Sequence, residues 1–188
     1  MLAGMRGLHS LTILNDIPMF ERADLRRTDN FCPYLCHYHG PLNLLEVMFS
    51  THISLKRIVL TDRAIPTVRL QRNFPFFENT FYANISLKET GDEAIRAVFN
   101  LTQSMKSLVV EFPLADSFTL GQAINLVITN AASTTTLRRI SIVSEGVLPH
   151  NPSTSIEDTF NNCPTLQTLR IGGTRFDSDV MSWERESR

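Results

Sequence analysis

The chain has 188 residues, 43% of them hydrophobic and 20% charged, with a formal net charge of −1, which fits one globular domain with a substantial core and excludes disorder of the bulk. A pI of about 6.5 and the lack of any run of like charge exclude a dedicated nucleic-acid binder, whose affinity comes from a positive field on phosphates. No stretch approaches the roughly 18 apolar residues of a membrane span. Three cysteines form an odd count without framework spacing, so free thiols in a reducing compartment, cytoplasm or nucleus, are expected.

The opening segment, MLAGMRGLHSLTILNDIP, is apolar, but Arg6, His9, Ser10 and Asp16 interrupt any signal-peptide core, so it is read as folded structure. Within it Leu8, Leu11 and Ile13 place apolar residues at i, i+3 and i+5 with polar residues between. Such alternation predicts a short strand with one buried and one solvated face. ERADLRR, with mixed charges, reads as an exposed helix face. NFCPYLCHYHG follows, with zinc-ligand residue types in close spacing, and PLNLLEVMFSTH carries helical periodicity through Leu42, Leu45 and Phe49.

The i, i+3, i+5 pattern returns at Leu55, Ile58 and Leu60 and, after an indistinct stretch from Thr61 to Asn79, at Tyr82, Ile85 and Leu87. In the stretch between, Thr67-Val68-Arg69-Leu70 is open to a short extra strand. The phenylalanines of NFPFFENTF are read as core packing, with an exposed aromatic patch as the alternative. TGDEAIRAVFN predicts a helix capped by Asp92, ahead of a strand at Met105, Leu108 and Val110; TLGQAINLVITNA predicts a helix opened by a Thr119-x-x-Gln122 capping box. A loop at TNAASTTT leads to the strand of Leu137, Ile140 and Ile142. SIEDTFNNC, behind Ser155, is helical before the strand of Leu166, Leu169 and Ile171, and Gly172 and Gly173 are expected to turn the chain after it. FDSDVMSWERESR is either a short capping helix with Trp183 over the last strand or a frayed tail. Residues 1–175 thus form the repeat domain and 176–188 a cap or tail.

Strand ends at Ile13, Leu60, Leu87, Val110, Ile142 and Ile171 are separated by 47, 27, 23, 32 and 29 residues. A strand over Leu35–Gly40 would divide the 47 into 27 and 20. The steps then fall at or near the roughly 20–29-residue period of a leucine-rich repeat. Cys32-Pro33-Tyr34-Leu35 also aligns with Cys163-Pro164-Thr165-Leu166. In that register Tyr38 points inward, His37 and His39 outward, and Cys32 is a small buried hydrophobe. The four potential ligands divide between core and surface, and no metal or other cofactor is expected.

NNCPTLQTLRI resembles the CPxLxxLxL junction of the leucine-rich repeats in F-box proteins, and TQSMKSLVVEF and STTTLRRISI resemble divergent versions of it. The style is most similar to the large fungal class of F-box-like proteins. The resemblance implies an α/β solenoid of about six to seven irregular repeats, with a curved parallel sheet on the concave side and helices on the convex side. It also implies the substrate-recruiting half of a ubiquitin ligase receptor. No F-box precedes Leu8, so a ligase adaptor is expected only if one lies upstream, and the missing N-terminal cap leads us to expect a truncated chain. The rival expectation is a structural fragment without independent function.

No nucleophile elbow or phosphate loop assembles, so no enzymatic activity is expected. Asn84-Ile85-Ser86 and Asn100-Leu101-Thr102 match the glycosylation sequon but are not expected to be used. The exposed side of the predicted sheet is the candidate site: Thr12, His37, His39, Arg57, Val59, Ser86, Val109, Glu111, Arg139, Ser141, Thr168 and Arg170, with Ser10, Asn84 and Ser107 in the same rows. Arg57, Arg139 and Arg170 are expected to meet an acidic segment of a protein partner, since the guanidinium fork makes paired hydrogen bonds to carboxylates. The alternative is that they are merely solvated strand residues.

Overall fold

A computed structural model describes residues 7–13, 32, 34–48, 54–101, 104–113, 115–144, 156–173 and 181–185. The strands are β1 (Ser10–Thr12), β2 (His37–Gly40), β3 (Arg57–Leu60), β4 (Tyr82–Ser86), β5 (Ser107–Phe112), β6 (Arg139–Ser144), β7 (Thr168–Gly173) and β8 (Met181–Glu184). The helices are α1 (Leu42–Met48), α2 (Thr67–Arg72), α3 (Phe74–Phe77), α4 (Asp92–Leu101), α5 (Ser117–Ala131) and α6 (Ile156–Asn162). The eight strands form one sheet in sequential order, parallel from β1 to β7, with β8 antiparallel on β7. The chain is therefore an α/β protein. ERADLRR, Phe49 and Ser155 lie outside the described residues.

The strand predicted inside the cysteine stretch is present as β2, and period-two alternation explains why its residues form a sheet with one dry face. Leu11, Tyr38, Ile58, Ala83, Leu108, Ile140 and Leu169 are in register across the parallel strands. From Tyr38 to Leu169 these side chains are at most 1% exposed. They join Leu42, Leu45, Leu70, Phe77, Ile95, Val98, Leu120, Ile124 and Val127 of the helices in one core. Each such aliphatic side chain removed from water stabilises the fold by about 1.5–3 kcal/mol before chain entropy is counted. At the end of β2 glycine lets the Tyr38 ring lie against the main chain: a Cβ on Gly40 would lie 2.8 Å from the Tyr38 hydroxyl and force the buried ring to shift. That hydroxyl donates to the Pro41 carbonyl at 2.7 Å. Burial, reinforced by the Asp62 carboxylate, pushes the phenol well above its ordinary range and keeps it a donor.

Helix starts are held by neighbouring turns. The Asp62 carboxylate, just past β3, accepts from the Leu42 N–H of α1 at 2.6 Å. Past β4, the Glu89 carboxylate accepts from both the N–H and the hydroxyl of Thr67 at 3.0 Å. Each acid thus satisfies a donor that the first helical turn leaves without an intrahelical partner. Asp62→Ala should lower the unfolding free energy by about 1 kcal/mol, a loss readable in urea melts; an unchanged midpoint would show that water replaces the carboxylate at no cost.

Several sequence readings change. Thr67–Leu70 is helical, not an extra strand: Pro66 sits at the N-cap with φ of −64° and Glu89 holds the first turn from 22 residues away. Arg69 then reaches Glu46 of α1 at 2.9 Å, and that hydrogen bond holds its guanidinium above the ordinary range. Of the nearby phenylalanines, Phe76 and Phe77 are core while Phe81 is 43% exposed. Asp92 is the first residue of α4, not the residue before it, and pairs with Arg96 at 2.9 Å. The N-cap of α5 is Asp116, whose carboxylate accepts from the Thr119 N–H at 2.8 Å. That bond holds its carboxyl below its ordinary pKa. The capping box at Thr119 is therefore three residues late, and the 15-residue α5 extends into the expected loop as far as Ala131. Gly172 and Gly173 belong to β7, paired with Val143 and Ser144, rather than to a turn.

The C-terminal segment forms strand β8, where a helix or a frayed tail was expected. Leu169 faces Trp183 and Ile171 faces Met181, and both partners pack against the core while remaining half-buried. Arg185, next in the chain, donates through Nε to the Leu166 carbonyl at 3.1 Å and through Nη2 to those of Phe160 and Cys163. A single guanidinium therefore ties the Phe160 carbonyl, one of those the last turn of α6 leaves open, to the Cys163 and Leu166 carbonyls of the turn that follows.

Candidate functional site

Among the described residues, no element covers most of the sheet face opposite the helices, although a parallel sheet usually has both faces buried. Two register rows line it. The first contains Ser10, His37, Arg57, Tyr82, Ser107, Arg139 and Thr168; the second contains Thr12, His39, Val59, Asn84, Val109, Ser141 and Arg170. Thr12, His37, Arg57, Arg139 and Arg170 are exposed, and His39, Val59, Val109, Ser141 and Thr168 are half-buried. Glu111 lies one step further along, half-buried, opposite Ser86 and Val143.

Ser86 is the exception among the expected contact residues. It lies on this face but is only 3% exposed, because the turn after β3 crosses it. The Ser86 hydroxyl donates to the Arg63 carbonyl, and the Ile65 N–H donates to the Ser86 carbonyl at 2.8 Å. The same turn helps form a recess of about 340 Å³ at the C-terminal strand ends, lined by Asp62, Arg63, Ser86, Glu111, Val143 and Ser144. Ser144 donates to the Phe112 carbonyl at 3.2 Å, so both serine hydroxyls of the recess are engaged with main chain.

Tyr82 is the residue that sequence reasoning missed. The i, i+3, i+5 pattern in this strand begins at Thr80, not Tyr82. Thr80 is fully buried, its hydroxyl donating to the Leu55 and Phe76 carbonyls at 3.0 and 3.2 Å. It makes the same turn as its leucine counterparts: Thr80 N–H to Phe77 carbonyl at 2.9 Å, Leu35 to Cys32 at 3.1 Å and Leu166 to Cys163 at 3.0 Å. Moving the pattern by two residues sends Tyr82 to the open face. There its ring takes the Arg57 guanidinium at 4.3 Å, a cation–π contact that holds the arginine over the sheet. Among the described residues Arg57, Arg139 and Arg170 form no ion pair.

The cysteine stretch does not converge on a point. Cys32 is 1% exposed in the core, where burial pushes its thiol up and disfavours a thiolate ligand. His37 and His39 lie on the open face, and the described residues contain no cluster of three or more potential metal-ligating side chains. No helix among the described residues is long and apolar enough to cross a membrane. Comparison of the chain with protein-family models, curated proteins and solved structures finds no match.

Proposed function

We propose that this chain is a protein-interaction module, similar to the substrate-recruiting leucine-rich repeats of an F-box-type ubiquitin ligase receptor, which binds an acidic segment of a partner across the open sheet face. One observation carries this reading: among the described residues a parallel sheet leaves a face uncovered, with three arginines on it that have no carboxylate partner there. Burying such charges against an acid-free surface is unfavourable, whereas a carboxylate-bearing partner satisfies them. The sequential strand order and the matching Cys-x-x-Leu turns of Cys32 and Cys163 support the solenoid architecture. Coupling to a ligase adaptor requires an F-box joined to this chain.

The test compares wild type with the Arg57→Glu/Arg139→Glu/Arg170→Glu variant, first in affinity capture from extract and then in calorimetry with each purified captured protein. All three side chains are exposed, so thermal melts of the two should coincide. The partner's affinity should fall at least tenfold, since charge reversal replaces attraction by repulsion. Capture of the same proteins with equal affinity by both would remove the open face from the function.

A further inference from the structure

Further cations of the sheet lie outside the two rows. One residue before the first row, the strands are linked in sequence at their N-terminal ends. Phe81 donates to the Lys56 carbonyl at 2.8 Å, Lys106 to that of Phe81 at 2.9 Å and Arg138 to that of Lys106 at 2.9 Å. These bonds place Lys56, Phe81, Lys106 and Arg138 side by side along a rim. Phe81 stands between the two lysines, with ammonium groups 5.0 and 5.1 Å from its ring centroid. The aromatic ring attracts both cations through its π face, so their positions are partly set before any ligand arrives. None of Lys56, Lys106 and Arg138 forms an ion pair among the described residues.

The rim is continuous with the arginines, because Lys56 and Arg138 immediately precede Arg57 and Arg139 in the chain. Lys56, Arg57, Lys106, Arg138, Arg139 and Arg170 therefore gather six cations at one end of a sheet in a molecule of net charge −1. The field is short. From Lys56 to Arg138 it crosses three strand spacings, roughly 14 Å, which an extended peptide covers in about four residues. Glu184, on β8 opposite Thr168, bounds it on one side with negative charge. A long polyanion following the rim would run onto Glu184, whereas a short acidic run ends within the cationic zone.

Building on the proposed acidic-segment reading, we infer that the Lys56–Phe81–Lys106–Arg138 rim is a docking site for a short, extended Asp/Glu-rich run in the partner protein. The ring-held lysines take its carboxylates first, and Arg57 and Arg139 take those that reach over the sheet.

Fluorescence anisotropy with a labelled, Gly-Ser-flanked penta-glutamate peptide tests it, with the penta-glutamine analogue and a 20-nucleotide single-stranded DNA as competing probes. Wild type should bind the glutamate peptide in a salt-sensitive manner and ignore the glutamine peptide. Lys56→Glu/Lys106→Glu should weaken binding at least tenfold, and Phe81→Ala, which keeps both charges, about threefold. Circular dichroism melts should show the variants folded. No wild-type binding, or a lysine reversal that leaves the affinity within twofold, overturns the inference. If Arg139→Glu/Arg170→Glu weakens binding while the lysine reversal does not, the rim is excluded and the open-face reading stands. If neither does, both fail. DNA that binds more tightly than the peptide through the same lysines overturns the peptide as occupant.

Discussion

Replacing Ile140 by alanine should lower the unfolding free energy by about 4 kcal/mol, whereas Arg139→Ala, one residue earlier, should change it by no more than about 0.5 kcal/mol. Ile140 is 1% exposed and sits in register between Leu108 and Leu169, both fully buried. With sheet neighbours on both sides and helices over it, the site has little freedom to collapse, so the cavity cost adds to the lost transfer energy. Arg139 points to the opposite face, where truncation leaves only solvated surface. Equilibrium urea unfolding of the two variants measures both terms. Similar losses for the pair would mean that the face opposite the helices is covered in the folded protein, which would remove the basis for a binding surface there.

A chain ending at Gly173 should melt about 10 °C lower and associate in a concentration-dependent way. The shift corresponds to about 4 kcal/mol at roughly 2–4 °C per kcal/mol for a domain of this size. It combines the half-buried Trp183 and Met181 with the Arg185 hydrogen bonds to the last turn of α6 and the turn after it. Association is expected because loss of β8 bares the hydrogen-bonding edge of β7, and an open edge next to apolar residues recruits another chain. Calorimetry and light scattering at two protein concentrations check both parts. An unchanged melting temperature with a monomeric species would show that β7 needs no cover. Arg185→Ala alone should cause a smaller loss without association, since β8 still pairs.

Both expectations depend on which side of the sheet a residue occupies, and that was largely legible in the sequence. Period-two alternation is local: Leu137-Arg138-Arg139-Ile140-Ser141-Ile142 carries its own inside and outside, and the structure places Ile140 and Ile142 in the core with Arg139 on the open face. Unequal spacing of the apolar triplets likewise located β2 within a stretch whose residue types pointed to metal. The pattern failed in β4 for a specific reason. A threonine whose hydroxyl bonds to two main-chain carbonyls can occupy a leucine position at little cost, and a search for apolar residues passes over it. That slip of two residues concealed Tyr82 and, with it, the stack that orients Arg57.

Other features depended on partners distant in the chain. Thr67-Val68-Arg69-Leu70 has the β-branched character of a strand and becomes a helix because Glu89 supplies the missing acceptor at its start. The Lys56–Phe81–Lys106 sandwich joins the residues that immediately precede three different strands, and nothing in their separate contexts marks them as neighbours. Ser86 has the right parity for the open face and is still buried, because the turn after β3 lies over it.

By itself, the sequence determined the α/β class, the alternating strands and the side that most of their residues face, since these follow from covalent geometry and local partition between water and core. Only the tertiary structure decided that the C-terminus adds an antiparallel strand, that Thr80 replaces an apolar anchor and that the cations gather along one rim. Each of these depends on hydrogen bonds or electrostatic contacts between segments far apart in the chain, whose energies exist only once the sheet has brought the segments together.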